Sequence, residues 1–215
     1  MLTPKSPKEP IRILIIDDHP VVCSGLTSML STVNGIEVVG SASSGQQALV
    51  MIQHDQPDLL LLDLRMPRMD GIGVMNALKQ MEKPPRILVL TSSEKDEDIY
   101  RAIRAGAHGY LLKDTTESEM IAAIYVVNAG KRYIPRHIAA RLADRMMRSD
   151  LTARELQILE LLAQGSTNKQ IGSTLEISDN TVHNHVNRIM EKLQVSDRTE
   201  AVATAMRSGV LSGTD

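Results

Sequence analysis

Hydrophobic positions in this chain follow two periods, one for each half. From Ile11 to Gly130, short apolar runs alternate with amphipathic stretches five times. The runs are Ile11–Ile16, Ile36–Gly40, Leu59–Leu62, Arg86–Leu90 and His108–Leu112, which read as strands. The intervening Pro20–Leu30, Gly45–Gln53, Ile72–Met81, Asp96–Ala105 and Glu117–Ala129 read as helices. The four consecutive leucines 59–62 have no polar alternation, as expected of a strand buried on both faces. Strands and helices in alternation predict a (βα)5 domain, an α/β doubly wound parallel sheet, over residues 11–130.

After residue 130 the strand pattern stops. Residues 131–150 carry Arg136, Arg141, Arg145 and Arg148 against Asp144 and Asp150. This stretch reads as a linker, helical from about Pro135. Residues 151–215 are all-α, with well-signalled helix starts. Thr152 to Glu155 and Thr167 to Gln170 are capping boxes; Leu151 with Leu156 is placed as a hydrophobic staple. Ser178 caps a third helix, and Asp197 or Ser196 a fourth that ends near Gly209. Four short helices, the second and third joined by a tight turn, predict a helix-turn-helix domain. Residues 1–10, with three prolines and two lysines, read as a flexible tail.

Composition adds little to this. At 215 residues the chain suits two small domains or one large one, and a net charge of −2 excludes a polyanion or a generic nucleic-acid sponge. A single cysteine, Cys23, excludes an internal disulfide and points to a reducing compartment. No apolar run approaches membrane-spanning length and no signal-peptide core precedes Ile11, so a cytoplasmic protein without a membrane association is expected. Phe and Trp are absent, so twelve Met and the aliphatic residues must fill the cores.

Chemistry enters at the strand ends. Asp17 and Asp18 follow the first strand, Asp63 the third, Thr91 ends the fourth and Lys113 follows the fifth. In a parallel sheet all five cluster at the carboxyl edge, where open α/β sheets bind ligands. Three carboxylates that close repel one another unless a cation joins them, and an all-oxygen set suits Mg2+. A lysine and a hydroxyl facing the same pocket suit a phosphoryl group. The residues therefore describe a carboxylate that accepts a phosphoryl group with Mg2+. A phosphohydrolase with an Asp nucleophile would use the same residues, but there a second Asp commonly follows two positions later as general acid. Here that position is Arg65, which does not release a proton at neutral pH.

Asp17-Asp18-His19-Pro20, Leu62 to Pro67, Asp70-Gly71, Thr91-Ser92 and Gly109 to Lys113 resemble the receiver domain of two-component response regulators. The resemblance implies that Asp63 is the phosphoacceptor and that Asp18, Asp63 and the main-chain carbonyl of Arg65 bind Mg2+ directly. It implies that Asp17 holds the metal largely through water and that Lys113 pairs with the phosphoryl group. Thr91 and Tyr110 are implied as the switch pair, the Thr91 hydroxyl moving onto a phosphoryl oxygen and Tyr110 turning inward. Lys113 is followed by Asp114 where many receivers have proline, and Cys23 stands where many have a basic residue; packing explains Cys23 better than redox sensing.

Leu151 to Glu155, Asn168 to Ile171, Ile177-Ser178, Thr181-Val182, His185, Lys192-Leu193, Val195 and Arg198-Thr199 resemble the LuxR-type helix-turn-helix. With a receiver in front, the chain is similar to the NarL/FixJ family. In its third helix, Val182, Val186, Ile189, Met190 and Leu193 form an apolar stripe. Opposite lie Asn180, His183, Asn184 and Asn187, with Thr181 beside them; asparagine can bond adenine N6 and N7 in the major groove. Lys169, Arg188, Lys192 and Arg198 are candidate phosphate contacts, and His185 borders the apolar stripe. From Leu151 onward six Lys and Arg stand against eight Asp and Glu. Weak binding per monomer is therefore expected, with dimerisation on phosphorylation as the switch. The partners implied are a sensor histidine kinase, double-stranded promoter DNA and RNA polymerase. The chain is expected to accept phosphoryl groups stoichiometrically and not to be an enzyme. The alternative is a phospho-switched interaction protein whose helical domain binds another protein, which the acidic balance favours and the Asn-rich face opposes.

Overall fold

A computed structural model of the chain describes residues 9–146 and 150–211. Most of the expected tail and Arg148 of the expected linker lie outside the described residues. The described residues divide into two compact units with the junction between Ala139 and Ala140; Lys95–Glu97 group with the second unit.

The first unit runs β1 (Ile11–Ile16), α1 (Pro20–Leu30), β2 (Ile36–Ala42), α2 (Gly45–Asp55), β3 (Leu59–Leu62), α3 (Gly71–Leu78), β4 (Arg86–Thr91), α4 (Asp96–Ala105), β5 (Gly109–Leu112) and α5 (Glu117–Asn128). The five strands form one parallel sheet in the order β2-β1-β3-β4-β5. The order reverses its direction at β1 and β3, the crevice where doubly wound sheets place their ligand site. Leu59 to Leu62 are all at most 1% exposed, so β3 is covered on both faces, as its unbroken apolar run requires. Leu59 and Leu61 join Cys23 and Leu30 of α1 and Met120, Ile124 and Val127 of α5 in one core; Leu60 and Leu62 point to the other face.

Several boundaries differ from the sequence pattern, most by one or two residues, and three departures have a clear physical cause. β2 continues through Ser41 to Ala42 because the register slips between Ile13 and Leu14, which lets Gly40, Ser41 and Ala42 pair with Leu14, Ile15 and Ile16. α3 stops at Leu78 because the next amides turn back three residues, Gln80 to Ala77 and Met81 to Leu78, ahead of Pro84-Pro85. The chain also returns to the sheet after α5. The Tyr133 amide donates to the His108 carbonyl and the Tyr110 amide to the Tyr133 carbonyl, so Tyr133 covers the free edge of β5. A helix, α6 (Arg136–Met146), follows Pro135.

The second unit contains α7 (Ala153–Ala163), α8 (Asn168–Leu175), α9 (Asp179–Leu193) and α10 (Arg198–Ser208). Both capping boxes form, Thr152 with Glu155 and Thr167 with Gln170; Asp197, not Ser196, caps α10 by accepting from the Thr199 and Glu200 amides. Ile158, Leu159, Ile171, Val182, Ile189, Ala201 and Ala205 are buried together as its core. The turn from α8 to α9 needs glycine at 172, since a Cβ there would stand 2.7 Å from the Ile177 carbonyl oxygen.

Candidate functional site

The parallel ladder delivers the acidic residues to one edge. The Asp17 amide donates to the Ala42 carbonyl and the Asp63 amide to the Ile16 carbonyl, which carries β1 and β3 one residue further and sets the two carboxylates side by side. Both are buried, Asp17 at 2% and Asp63 at 4% exposure. Lys113, whose amide continues the ladder by donating to the Thr91 carbonyl, reaches across with Nζ 2.6 Å from Asp17 Oδ2 and 2.7 Å from Asp63 Oδ2. Burial alone would push this ammonium down. The hydrogen bonds to Asp17 and Asp63 and the attraction of both charges outweigh burial and raise it above the usual lysine value, so Lys113 stays charged.

Past Asp63 the backbone turns sharply. The Gly71 amide donates to the Leu64 carbonyl, and a Cβ on Gly71 would meet the Asp63 carbonyl oxygen at 2.5 Å, so only glycine can start α3 this close. The Asp70 side chain caps that helix through the Gly73 amide. Within the turn, the Arg65 amide donates to Asp63 Oδ1 at 3.2 Å.

His19 joins this cluster. Its Nδ1 lies 3.1 Å from Asp17 Oδ1 and 3.0 Å from Asp18 Oδ1, and its amide donates to Asp17 Oδ1. One potential ligand atom each from Asp17, Asp18, His19 and Asp63 falls within a span of 4.8 Å. Asp18 Oδ1 is buried and, despite the nearby His19 ring, has no partner in hydrogen-bonding geometry among the described residues. A buried, unsatisfied carboxylate oxygen beside two more carboxylates fits a hard divalent cation taking oxygen ligands. Cys23, below this cluster, donates its thiol to the Asp17 carbonyl at 3.4 Å. Burial first, and then the Asp17 charge, push that thiol up, which keeps it protonated and unreactive.

Thr91 and Tyr110 are both fully buried. The Tyr110 hydroxyl donates to the Ser93 carbonyl at 2.7 Å, and the Ser93 amide donates to Thr91 Oγ1 at 3.3 Å. Ser93 Oγ also donates to Asp98, whose carboxylate pairs with Arg65 at 2.7 Å. Ser93 and Asp98 were not foreseen, because 33 residues separate Arg65 from Asp98 and no local period links them.

In the second unit, Asn180, His183, Asn184, Asn187 and Arg188 stand exposed on α9, and Lys169 is exposed at the start of α8. His183 Nε2 and Asn187 Nδ2 are 3.2 Å apart, one turn along the same face. Thr181 is half-buried and bonded into the N-cap with Ser178. Lys192, expected among the phosphate contacts, points elsewhere: Nζ is 2.7 Å from Glu155 Oε2 and 3.0 Å from the Asp150 carbonyl. Arg198 donates to the Ser166 carbonyl at 2.8 Å. His185 Nδ1 is buried without a hydrogen-bond partner among the described residues.

Comparison with known proteins agrees with both units. Residues 13–125 match the response regulator receiver domain, and residues 149–205 match the bacterial regulatory proteins of the luxR family. The transcriptional regulatory protein LiaR of Bacillus subtilis (strain 168) is 39% identical over 210 residues, covering 94% of this chain and 100% of that protein. The response regulator protein VraR of Staphylococcus aureus (strain COL) is 36% identical over 206 residues, covering 94% and 99%. Among solved structures, the response regulator ChrA of a heme-sensing two-component system is 39% identical with a TM-score of 0.56, covering 94% of this chain and 99% of that one. An RcsB–DNA complex at 23% identity and a TM-score of 0.70, covering 91% and 98%, shares the fold. No helix among the described residues is long and apolar enough to cross a membrane. This chain belongs to the NarL/LuxR family of response regulators, DNA-binding transcriptional regulators in which a receiver domain precedes a LuxR-type helix-turn-helix domain.

Proposed function

We propose that Asp63 accepts a phosphoryl group from a sensor histidine kinase and that this acceptance governs dimerisation and promoter binding through α9. The observation that carries the reading is the Lys113 ammonium bonded at once to buried Asp17 and Asp63. That arrangement sets a buried carboxylate beside a cation that can pass to a phosphoryl oxygen. Bond formation from an Asp63 oxygen to phosphorus accompanies cleavage of the phosphorus–nitrogen bond in the donor. One phosphoryl group is taken per chain, so the step is self-catalysed and stoichiometric.

Asp18, Asp63 and the Arg65 carbonyl would hold Mg2+, with Asp17 acting largely through water. When bound, Mg2+ neutralises charge on the transferring phosphoryl oxygens. Thr91 would offer its hydroxyl to a phosphoryl oxygen, with Tyr110, already buried, as its switch partner. On DNA, Asn180, Asn184 and Asn187 with His183 would meet base edges, and Lys169 and Arg188 the phosphates. Lys192, committed to Glu155, would act through the position of α9, and Thr181 through its cap. RNA polymerase would be the partner at the promoter.

The test is genomic-fragment enrichment with wild type and Asp63→Ala after treatment with acetyl phosphate and Mg2+, alongside intact-mass measurement. Wild type should gain the mass of one phosphoryl group and enrich a few related, roughly two-fold symmetric sites; Asp63→Ala should do neither. Equal enrichment by both proteins would refute phosphorylation control.

A further inference from the structure

Ser93 is held by all three of its polar groups. Its amide donates to Thr91 Oγ1 at 3.3 Å, its carbonyl accepts from the Tyr110 hydroxyl at 2.7 Å, and its own hydroxyl donates to the Asp98 carboxylate. Asp98, in the first turn of α4, pairs with the Arg65 guanidinium at 2.7 Å, and the Arg65 amide returns to Asp63 Oδ1 at 3.2 Å. A continuous series of polar contacts thus runs from the acidic pocket to both buried switch hydroxyls.

From this we infer that Asp98 is a positioning residue for phosphoryl acceptance: through Ser93 it sets Thr91 and Tyr110 together, and through Arg65 it ties that setting to the loop carrying Asp63. The inference rests on the reading of Asp63 as phosphoacceptor.

The physical reason lies in burial. Thr91 and Tyr110 are 0% exposed, so their hydroxyls cannot turn to water and depend on protein groups. One residue, Ser93, supplies a bond to each from its main chain. Any pivot of Ser93 therefore breaks both bonds, and the side-chain anchor on Asp98 opposes that pivot. Without the anchor the Tyr110 hydroxyl loses a fixed acceptor at 2.7 Å, and a weaker hold on a buried hydroxyl lets the ring move toward solvent. The two bonds of Asp98 are unequal. Arg65 has a side chain 58% exposed, so its pair with Asp98 is screened, whereas Ser93 is 7% exposed. The Ser93 bond therefore carries most of the effect, and Arg65→Ala should matter less than Asp98→Ala.

The experiment uses the full chain labelled with 3-fluorotyrosine, with Tyr110 assigned through Tyr110→Phe. Fluorine spectra, and beryllofluoride and Mg2+ affinities by calorimetry, are compared for wild type, Asp98→Ala, Asp98→Asn, Ser93→Ala, Arg65→Ala and Asp63→Asn. Asp98→Ala should weaken beryllofluoride binding about tenfold and move the Tyr110 signal toward the solvent-exposed value. Mg2+ affinity should stay unchanged. Ser93→Ala, which keeps the main-chain bonds and removes only the anchor, should do the same, so the result does not depend on one variant folding. Asp98→Asn should recover most of the wild-type behaviour, because its amide oxygen still accepts from Ser93. Wild-type affinity and an unmoved Tyr110 signal in both Asp98→Ala and Ser93→Ala would overturn the inference. Beryllofluoride binding that survives Asp63→Asn would instead overturn the phosphoacceptor reading, and the fluorine spectra would still decide the anchor.

Discussion

Lys192 Nζ lies 2.7 Å from Glu155 Oε2, joining the last turn of α9 to the first turn of α7 across 37 residues of sequence. The carboxylate is 4% exposed and also closes the Thr152 capping box. Burial alone would raise Glu155, but Lys192 and the two hydrogen bonds with Thr152 outweigh it and hold the carboxyl below its ordinary 4.5. The fold therefore favours the ionised form. Its contribution is present above pH 4.5 and fades as pH falls through the lower folded value. Lys192→Met should lower stability at neutral pH by about 2 kcal/mol, less than for a fully buried pair because the ammonium is partly exposed. Urea titrations at pH 7 and pH 4 check this, and the difference between the proteins should shrink at the lower pH.

Lys113 separates two buried carboxylates, so removing it leaves Asp17 and Asp63 facing each other with no cation. Lys113→Ala should melt earlier than wild type without divalent ions and be rescued more strongly by Mg2+, with Mg2+ affinity rising several-fold, about 1 kcal/mol. Melting at a series of Mg2+ concentrations gives both quantities. The same variant should fail to respond to beryllofluoride by dimerising.

His108 offers a pH response in the first unit. The Ile87 amide donates to His108 Nδ1 at 3.2 Å, so that nitrogen must be unprotonated. Burial, then the charges of Arg86 and Arg132, push the imidazole below its ordinary 6.5. The neutral form is the one the fold stabilises, so its contribution is complete above pH 6.5 and is lost as pH falls through the lower folded value. Wild type should lose melting temperature between pH 6.5 and pH 5, and His108→Asn should lose less over the same interval. Parallel slopes for the two proteins would contradict this assignment.

Two classes of DNA contact should separate by salt dependence. Asn184→Ala removes a candidate base contact, so affinity for the enriched sites should drop by about 1–3 kcal/mol with an unchanged salt slope. Lys169→Ala should weaken binding to all sequences alike and reduce the slope by about one. Fluorescence anisotropy from low to moderate salt measures both. A salt-independent affinity in wild type would argue that the acidic domain uses another kind of partner.

Much of this molecule was legible because its signals are local. The four leucines of β3 could only be a strand covered on both sides, and the two capping boxes announced α7 and α8 to the residue. The strand-end positions of Asp17, Asp63, Thr91 and Lys113 also followed from the (βα)5 pattern, since parallel strands share one carboxyl edge. What escaped was of two kinds. The apolar pattern ends the second strand at Gly40, and only the register slip against β1 shows why Ser41 and Ala42 continue it. The partners of Lys192 and of Asp98 depend on which side chain folds back across the gap between elements. Helical periodicity assigns a face to Lys192 but cannot say that its long aliphatic stem carries the charge toward Glu155.

The close approach of Gly71 to the Asp63 carbonyl has a mechanical meaning. Residues 63 and 71 are the two feet of an arch, and the feet touch: the Gly71 amide bonds Leu64, and no Cβ intervenes to let the backbones part. Such an arch cannot widen at its base. From just inside one foot, Arg65 reaches sideways to Asp98 of α4, so the loop is pinned to the sheet edge at its base and tied to a neighbouring helix by one exposed ion pair.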